Sequence, residues 1–204
     1  MNKIKKLAVL VSGSGTNLQA IIDAVQSGDL KDTEIAIVIS NKKDAYALKR
    51  AEKAHIKNLF LNPKDFKSNP EYDKKMMEII ASNRVDLIVL AGYLKILSDT
   101  FVKTFQGKII NIHPALLPDF GGMYGEKVHN AVLESKVKES GCTVHFVDTG
   151  IDTGPVVAQR KVPVLENDTV ETLSKRILEQ EHKLLVESIR KVLQENVIPM
   201  KMGI

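Results

Sequence analysis

The sequence predicts an α/β protein of Rossmann-like type, with a mostly parallel twisted sheet and helices on both faces. Three observations carry that prediction. Short runs rich in Val, Ile and Leu, at 7–11, 35–39, 85–91 and 109–113, alternate with segments of helical periodicity. The runs are apolar at nearly every position, which suits strands buried on both faces of a parallel sheet. Ser12-Gly13-Ser14-Gly15 lies between the first run and the first helical segment, where an α/β chain can seat an anion.

Taken in order, Leu7–Val11 is a strand ending at the Gly-rich turn. Asn17–Gln26 is a helix, because Leu18, Ile21, Ile22 and Val25 recur at helical spacing. Ile35–Ile39 is the second strand, and a helix over 44–54 carries Leu48, Ala51 and Ala54. Asn58–Leu61 is a short third strand, and polar, Pro-containing Asn62–Asn69 is a loop. Glu71–Ala81 is helical, Val85–Ala91 is an apolar strand, and Ile109–His113 continues the sheet. The second half changes style. Asp119–Gly125 has three glycines and reads as a flexible loop, followed by a helix over 127–135. Strands over 143–148 and 156–164 are joined by the segment 149–155. Asp168-Thr169-Val170-Glu171 suits a capping box, with Asp168 the cap, opening a helix that runs to about Gln194. No repeat, low-complexity tract or linker stands out, so residues 1–204 read as one domain.

Composition narrows the function classes. A hydrophobic share of 44% and a charged share of 26% are ordinary for a soluble globular protein. The net charge of +4 is spread along the chain, with no Trp and no basic stripe interleaved with aromatics, so no nucleic-acid partner is expected. No apolar run approaches the roughly 20 residues of a membrane span. The basic start leads into the first strand, not a signal peptide, so a cytoplasmic location is expected. The lone Cys142 excludes an internal disulfide and a Cys-based zinc site, and reads as a small buried side chain just before a strand. The five histidines show no metal spacing, so no metal is expected.

Asn111 and His113 are the most informative pair. Alternation in a strand puts them on one side and Ile110 and Ile112 on the other. Pro114 then stops the pairing. An amide and an imidazole thus meet one space at a strand's carboxyl end, where open α/β sheets bind ligands. Asp152, in Asp-Thr-Gly, reads on spacing alone as a turn former. Were its carboxylate to reach His113, it would favour the imidazolium and raise the His pKa. Glu181, three residues after Leu178 and four before Leu185, falls on the apolar face of the last helix and needs a partner there. Thr16 or Asn17 would cap the first helix if the Gly-rich turn were only structural. His145 and His129 decide nothing, and His55 and His182 read as surface residues.

The ordered set Gly13–Asn17, Leu90–Leu97, Asn111-Ile-His-Pro-Ala-Leu-Leu-Pro118, Gly141–Asp148 and Gly150-Ile-Asp-Thr-Gly-Pro155 resembles the folate-dependent formyltransferases. Within them it is most similar to the phosphoribosylglycinamide formyltransferases of purine biosynthesis. The resemblance implies 10-formyltetrahydrofolate as co-substrate and an acceptor amine on phosphoribosylglycinamide. It assigns Asn111, His113 and Asp152 to catalysis, and Gly15, Thr16, Asn17 and Glu181 to the acceptor's phosphate and ribose. Leu94, Lys95, Ile96 and Leu97, with Asn111, Asp148, Thr149, Gly150, Ile151 and Asp152, match the folate site. Asn69 stands where many members carry a basic folate contact; either Lys67 substitutes or that contact is weaker. Gly121 stands where a Pro is usual, which is expected to loosen the loop. The resemblance divides the single domain into a nucleotide-binding half, 1–100, and a catalytic and folate-loop half, 101–204. It implies small-molecule partners and a monomer or homodimer. A methionyl-tRNA formyltransferase would carry a further C-terminal domain, and a formyltetrahydrofolate hydrolase an N-terminal one. A sugar-nucleotide formyltransferase tends to be longer, and the intact trio argues against a non-catalytic binding module.

Overall fold

The computed structural model describes residues 3–194. The chain forms two compact units that divide between Ile110 and Asn111. In the first, the strands are β1 (Lys5–Val11), β2 (Thr33–Ser40), β3 (Asn58–Phe60) and β4 (Leu87–Leu90). The helices are α1 (Thr16–Gln26), α2 (Tyr46–Lys53), α3 (Asn69–Ser82) and α4 (Asp99–Thr104). β5 (Ile109–His113) starts in the first unit and ends in the second. The second unit continues with α5 (Glu126–Glu134), β6 (Glu139–Phe146), β7 (Val156–Pro163) and α6 (Val170–Gln194). The sheet has seven strands in the order β3-β2-β1-β4-β5-β6-β7. β1 pairs in parallel with β2 and β4, and β2 with β3, whereas β6 and β7 are antiparallel. This is the α/β, mostly parallel sheet that the alternating apolar runs predict.

The reason lies in burial. Leu7 to Val11 are all inaccessible to solvent, as are Val38, Ile39 and Val89. Strands buried on both faces need helices against them, and Leu18, Ile21, Ala47 and Ala51 supply the buried faces of α1 and α2. In the second unit, α6 buries Leu173, Ile177, Leu184, Leu185 and Ile189, and it packs on β6 and β7.

Local chemistry corrects several boundaries. Gly15, not Thr16 or Asn17, precedes α1 at its N-cap, with φ +72° and no side-chain cap. Residue 69 belongs to α3, because Ser68 Oγ accepts from the Glu71 N–H at 3.4 Å and Pro70 suits the first turn. Helix α4 was not expected; it spans six residues, too short for a periodic signal, and Ser98 Oγ caps it at the Phe101 N–H. β6 starts at Glu139, so Cys142 lies inside the strand and not before it. The cap of α6 is Thr169, not Asp168. Thr169 Oγ1 accepts from the Thr172 N–H at 3.2 Å, and Thr172 Oγ1 accepts from the Thr169 N–H at 2.9 Å. Asp168 is drawn away by the Arg176 guanidinium, at 2.7 and 2.8 Å, which holds its carboxyl below the usual carboxylate range.

Candidate active site

The candidate cluster belongs to the second unit. Asn111 and His113 share one side of β5, and His113 is only 3% exposed. Asp152 joins them from the loop between β6 and β7. Its backbone is left-handed, with φ +56°, and such a conformation in a residue other than glycine is held in place by its surroundings. The surroundings are four groups around one carboxylate. Asp152 Oδ2 accepts from the Gly122 N–H at 2.9 Å and lies 3.4 Å from His113 Nδ1. Asp152 Oδ1 lies 3.4 Å from His145 Nε2 and 3.5 Å from Asn111 Nδ2. Burial by itself would raise the Asp152 pKa. The His145 contact, the Gly122 N–H and the two imidazoles outweigh it and leave the carboxyl below its ordinary value.

His113 follows the opposite balance. Burial lowers its pKa, and Asp152 and the Phe120 carbonyl, 3.2 Å from Nε2, pull it back without winning. The expected upward pull from Asp152 is present, but desolvation overrides it, so the net shift is down and not up. Both ring nitrogens face acceptors, Asp152 at Nδ1 and a carbonyl at Nε2. Only the imidazolium could donate to both. Burial thus disfavours the imidazolium, while the acceptors at both ring nitrogens are placed to hold it once negative charge develops beside the ring.

His145 is the member that sequence reading left undecided. Its Nδ1 lies 2.8 Å from the Phe146 carbonyl, so in the neutral ring that nitrogen carries the hydrogen. In that tautomer Nε2 accepts from Asn111 Nδ2 at 3.1 Å and orients that amide, whereas a ring that also carries hydrogen on Nε2 donates to Asp152 Oδ1, 3.4 Å away. The available signal was an imidazole alternating with two apolar residues, Val144 and Phe146. Its partner, Asn111, lies 34 residues away and only folding brings them together. His129 is also buried, on α5, with Nδ1 unpartnered and its pKa lowered by that burial. His55 is exposed and His182 is half-buried.

The loop at 119–125 is tied at two points, by the Gly122 bond to Asp152 and by the Phe120 carbonyl at His113. The expected loosening at Gly121 is thus opposed directly. The loop at 148–152 is braced by Asp148 Oδ1, which accepts from the Gly150 N–H at 3.1 Å and from Thr153 Oγ1 at 2.8 Å. Thr149, Gly150 and Ile151 are exposed, and Ile151 offers an uncovered apolar side chain. Glu181 is buried on α6, 7% exposed. Its carboxylate adds to burial in pushing the Cys142 thiol up to about 12, a value that leaves Cys142 inert as a nucleophile.

Two further groups of expected residues lie in the first unit. Asn17 is buried, Thr16 is half-buried, and Gly15 packs so closely on α2 that a Cβ there would fall 2.5 Å from Ala47 Cβ. The segment 94–97 leaves β4 under restraint. The Leu94 N–H donates to Ser12 Oγ at 2.9 Å, and the Ser98 N–H donates to the buried Asp73 at 2.6 Å. Leu94 and Ile96, two residues apart, are exposed by 55% and 72%, which suits a ligand surface. Lys95 Nζ donates to Asn69 Oδ1 at 2.6 Å and sits over the Tyr72 ring.

The formyl transferase domain family matches residues 5–189. The chain belongs to that family. It is 48% identical over 181 residues to the phosphoribosylglycinamide formyltransferase of Haemophilus influenzae, covering 89% of this chain and 84% of that protein. It is 45% identical to the trifunctional purine biosynthetic protein adenosine-3 of Drosophila melanogaster, covering 87% of this chain but only 13% of that longer protein. Glycinamide ribonucleotide transformylase 1 of Symbiobacterium toebii superposes with a TM-score of 0.91 at 42% identity, over 96% of this chain and 90% of that one. This formyltransferase is thus an enzyme acting on small molecules, from a family that draws its formyl group from 10-formyltetrahydrofolate. Among the described residues, no helix is long and apolar enough to cross a membrane, and no three His, Cys, Asp or Glu side chains gather as metal ligands.

Proposed function

We propose that Asn111, His113 and Asp152 perform formyl transfer, that Gly15, Thr16, Asn17 and Glu181 hold the acceptor, and that Asn69, 94–97 and 148–152 hold the folate. The reaction moves the formyl group of 10-formyltetrahydrofolate to the amine of 5'-phosphoribosylglycinamide. The products are 5'-phosphoribosyl-N-formylglycinamide and tetrahydrofolate, in purine (IMP) biosynthesis. The observation that carries the residue assignment is the single Asp152 carboxylate set between two buried imidazoles, with the Asn111 amide beside it.

The chemistry follows from those contacts. The acceptor amine attacks the formyl carbon, and charge collects on the former carbonyl oxygen. Asn111 donates to that oxygen with the N–H that otherwise makes the long 3.5 Å contact to Asp152, the weaker of its two. His113 takes up, through water, the proton shed by the attacking amine and holds it beside that oxygen until it passes to the leaving folate nitrogen, because the developing anion offsets the burial that lowers the ring's pKa. Preorganised donors of this kind contribute roughly 3–4 kcal/mol each. Asp152 stabilises the imidazolium and, through water, assists transfer of the amine proton to the leaving folate nitrogen. Phosphate and ribose contacts supply binding energy remote from the reacting atoms and so orient the amine. Residues 1–204 act as one formyltransferase domain in the cytoplasm, as a monomer or homodimer, without metal.

The test is formyl transfer by purified protein with both substrates, following formylated product and tetrahydrofolate, beside a His113→Ala variant. Formylated product that disappears in the variant is the expected result. Tetrahydrofolate released without formylated product would make the chain a hydrolase instead.

A further inference from the structure

The Gly13-Ser14-Gly15 turn is shaped by what holds its carbonyls. Gly13 O accepts from the Ala47 N–H at 3.1 Å, and Ser14 O accepts from Arg50 Nε at 2.9 Å. Gly15 O accepts from the Gln19 N–H at 2.9 Å, as the first bond of α1. In a planar trans peptide the C=O and the following N–H point in opposite directions. Drawing the Gly13 and Ser14 carbonyls toward α2 therefore turns the Ser14 and Gly15 N–H groups away from it. Left-handed Gly15 leads those groups into the start of α1, which has no side-chain cap. The result is a concavity of N–H groups suited to an anion.

Only one of the three ties is a side chain. Arg50 is held on other sides as well. Its Nη1 donates to Gln19 Oε1 at 3.1 Å, Gln19 Nε2 donates to Asp23 Oδ1 at 2.8 Å, and the guanidinium lies 5.0 Å from the Tyr46 ring centroid. The planar fork thus spans the turn and the second turn of α1 at once. Its charge faces the carbonyl side of the turn, not the N–H side.

We propose that Arg50 is the positioning residue of this cradle. It fixes the Ser14–Gly15 peptide so that the Gly15 N–H meets the acceptor's 5'-phosphate, and it thereby sets the preference for a phosphorylated over an unphosphorylated acceptor. The proposal rests on the reading of residues 15–17 as the phosphate site.

The experiment compares wild type, Arg50→Lys and Arg50→Met on phosphoribosylglycinamide and on its dephosphorylated ribonucleoside, with inorganic phosphate as a competing probe. Lys keeps the charge and loses the fork; Met keeps the stem and loses both. KM for the phosphorylated acceptor should rise about tenfold in both variants, the scale of one charge-assisted hydrogen bond. Inhibition by inorganic phosphate should weaken by the same factor. The kcat, the KM for 10-formyltetrahydrofolate and the kcat/KM for the dephosphorylated acceptor should hold within about twofold of wild type. An Arg50→Lys variant that matches wild type would overturn the proposal in favour of simple charge. Equal losses on both acceptors would overturn it in favour of a general structural role, and unchanged constants in both variants would overturn it outright. A wild type with no preference for the phosphorylated acceptor would overturn the phosphate reading together with the proposal, whereas a strong preference unaltered by the variants would overturn the proposal alone.

Discussion

The proposed acceptor turn at 13–17 and the proposed catalytic cluster around Asp152 are built from different materials. The turn uses peptide N–H groups from consecutive residues, aimed by ties on their carbonyls. The cluster uses side chains from β5, β6 and a loop, with Asn111 and Asp152 separated by 41 residues. Backbone groups keep their polarity at every pH and under most substitutions, so such a site is sensitive mainly to conformation. Side-chain groups titrate and can be deleted singly, so the cluster is sensitive to chemistry. The comparison implies that lesions in the turn raise KM for the acceptor, while lesions in the cluster lower kcat.

The largest effect is expected at Asp152. Asp152→Asn keeps the shape, removes the charge between two imidazoles, and should lower kcat by about 10³-fold, within the range for a lost acid–base partner, with little change in acceptor KM. Near-wild-type turnover would remove Asp152 from the mechanism. Next is Gly15→Ala, which places a Cβ 2.5 Å from Ala47 Cβ at φ +72°. Strain of that kind costs about 1–3 kcal/mol. Acceptor KM should rise and the melting temperature fall, and a loss confined to kcat would break the comparison.

A smaller effect is expected from pH. Asp152 lies below its ordinary 3.8 and His113 below its ordinary 6.5. In both cases the unfolded chain binds more protons between the ordinary and the folded values, so stability rises with pH there. The Asp152 contribution is complete above pH 3.8 and is lost as pH falls through the folded value. The His113 contribution starts to be lost as pH falls below 6.5. Urea midpoints should fall on acidification, and His113→Gln should flatten the limb just below neutrality; an unchanged limb would show that His113 is not the group responsible. The smallest effect on turnover is expected at Cys142→Ala, which should stay active because the proposed direct attack passes through no covalent enzyme intermediate. Lost activity with an intact fold, shown by an unchanged circular dichroism spectrum, would contradict the direct-attack mechanism.

Where the sequence was legible, the signal was local and periodic. The parallel strands show as continuous apolar runs, because burial on both faces leaves no room for polar residues. Asn111 and His113 show as a pair because strand alternation alone puts them on one side. Gly15 shows because a sharp turn before a helix needs left-handed backbone. Residues without such patterns were missed or misplaced. Helix α4 is too short to display a period, and the Glu139-Ser140-Gly141 start of β6 carries no β signal. The α6 cap moved from Asp168 to Thr169 because Arg176, eight residues on, takes the carboxylate.

Sequence alone therefore determined the fold class, the side of β5 that carries Asn111 and His113, and, through family resemblance, the reaction. Tertiary structure decided that His145 orients Asn111, that Arg50 ties Ser14, and that His113 sits below its ordinary pKa. The physical reason is range. Strand and helix periodicity act over a few residues and are written in order along the chain. Hydrogen-bond partners 34 or 36 residues apart, and the desolvation that outweighs Asp152 at His113, exist only once the chain has folded around them.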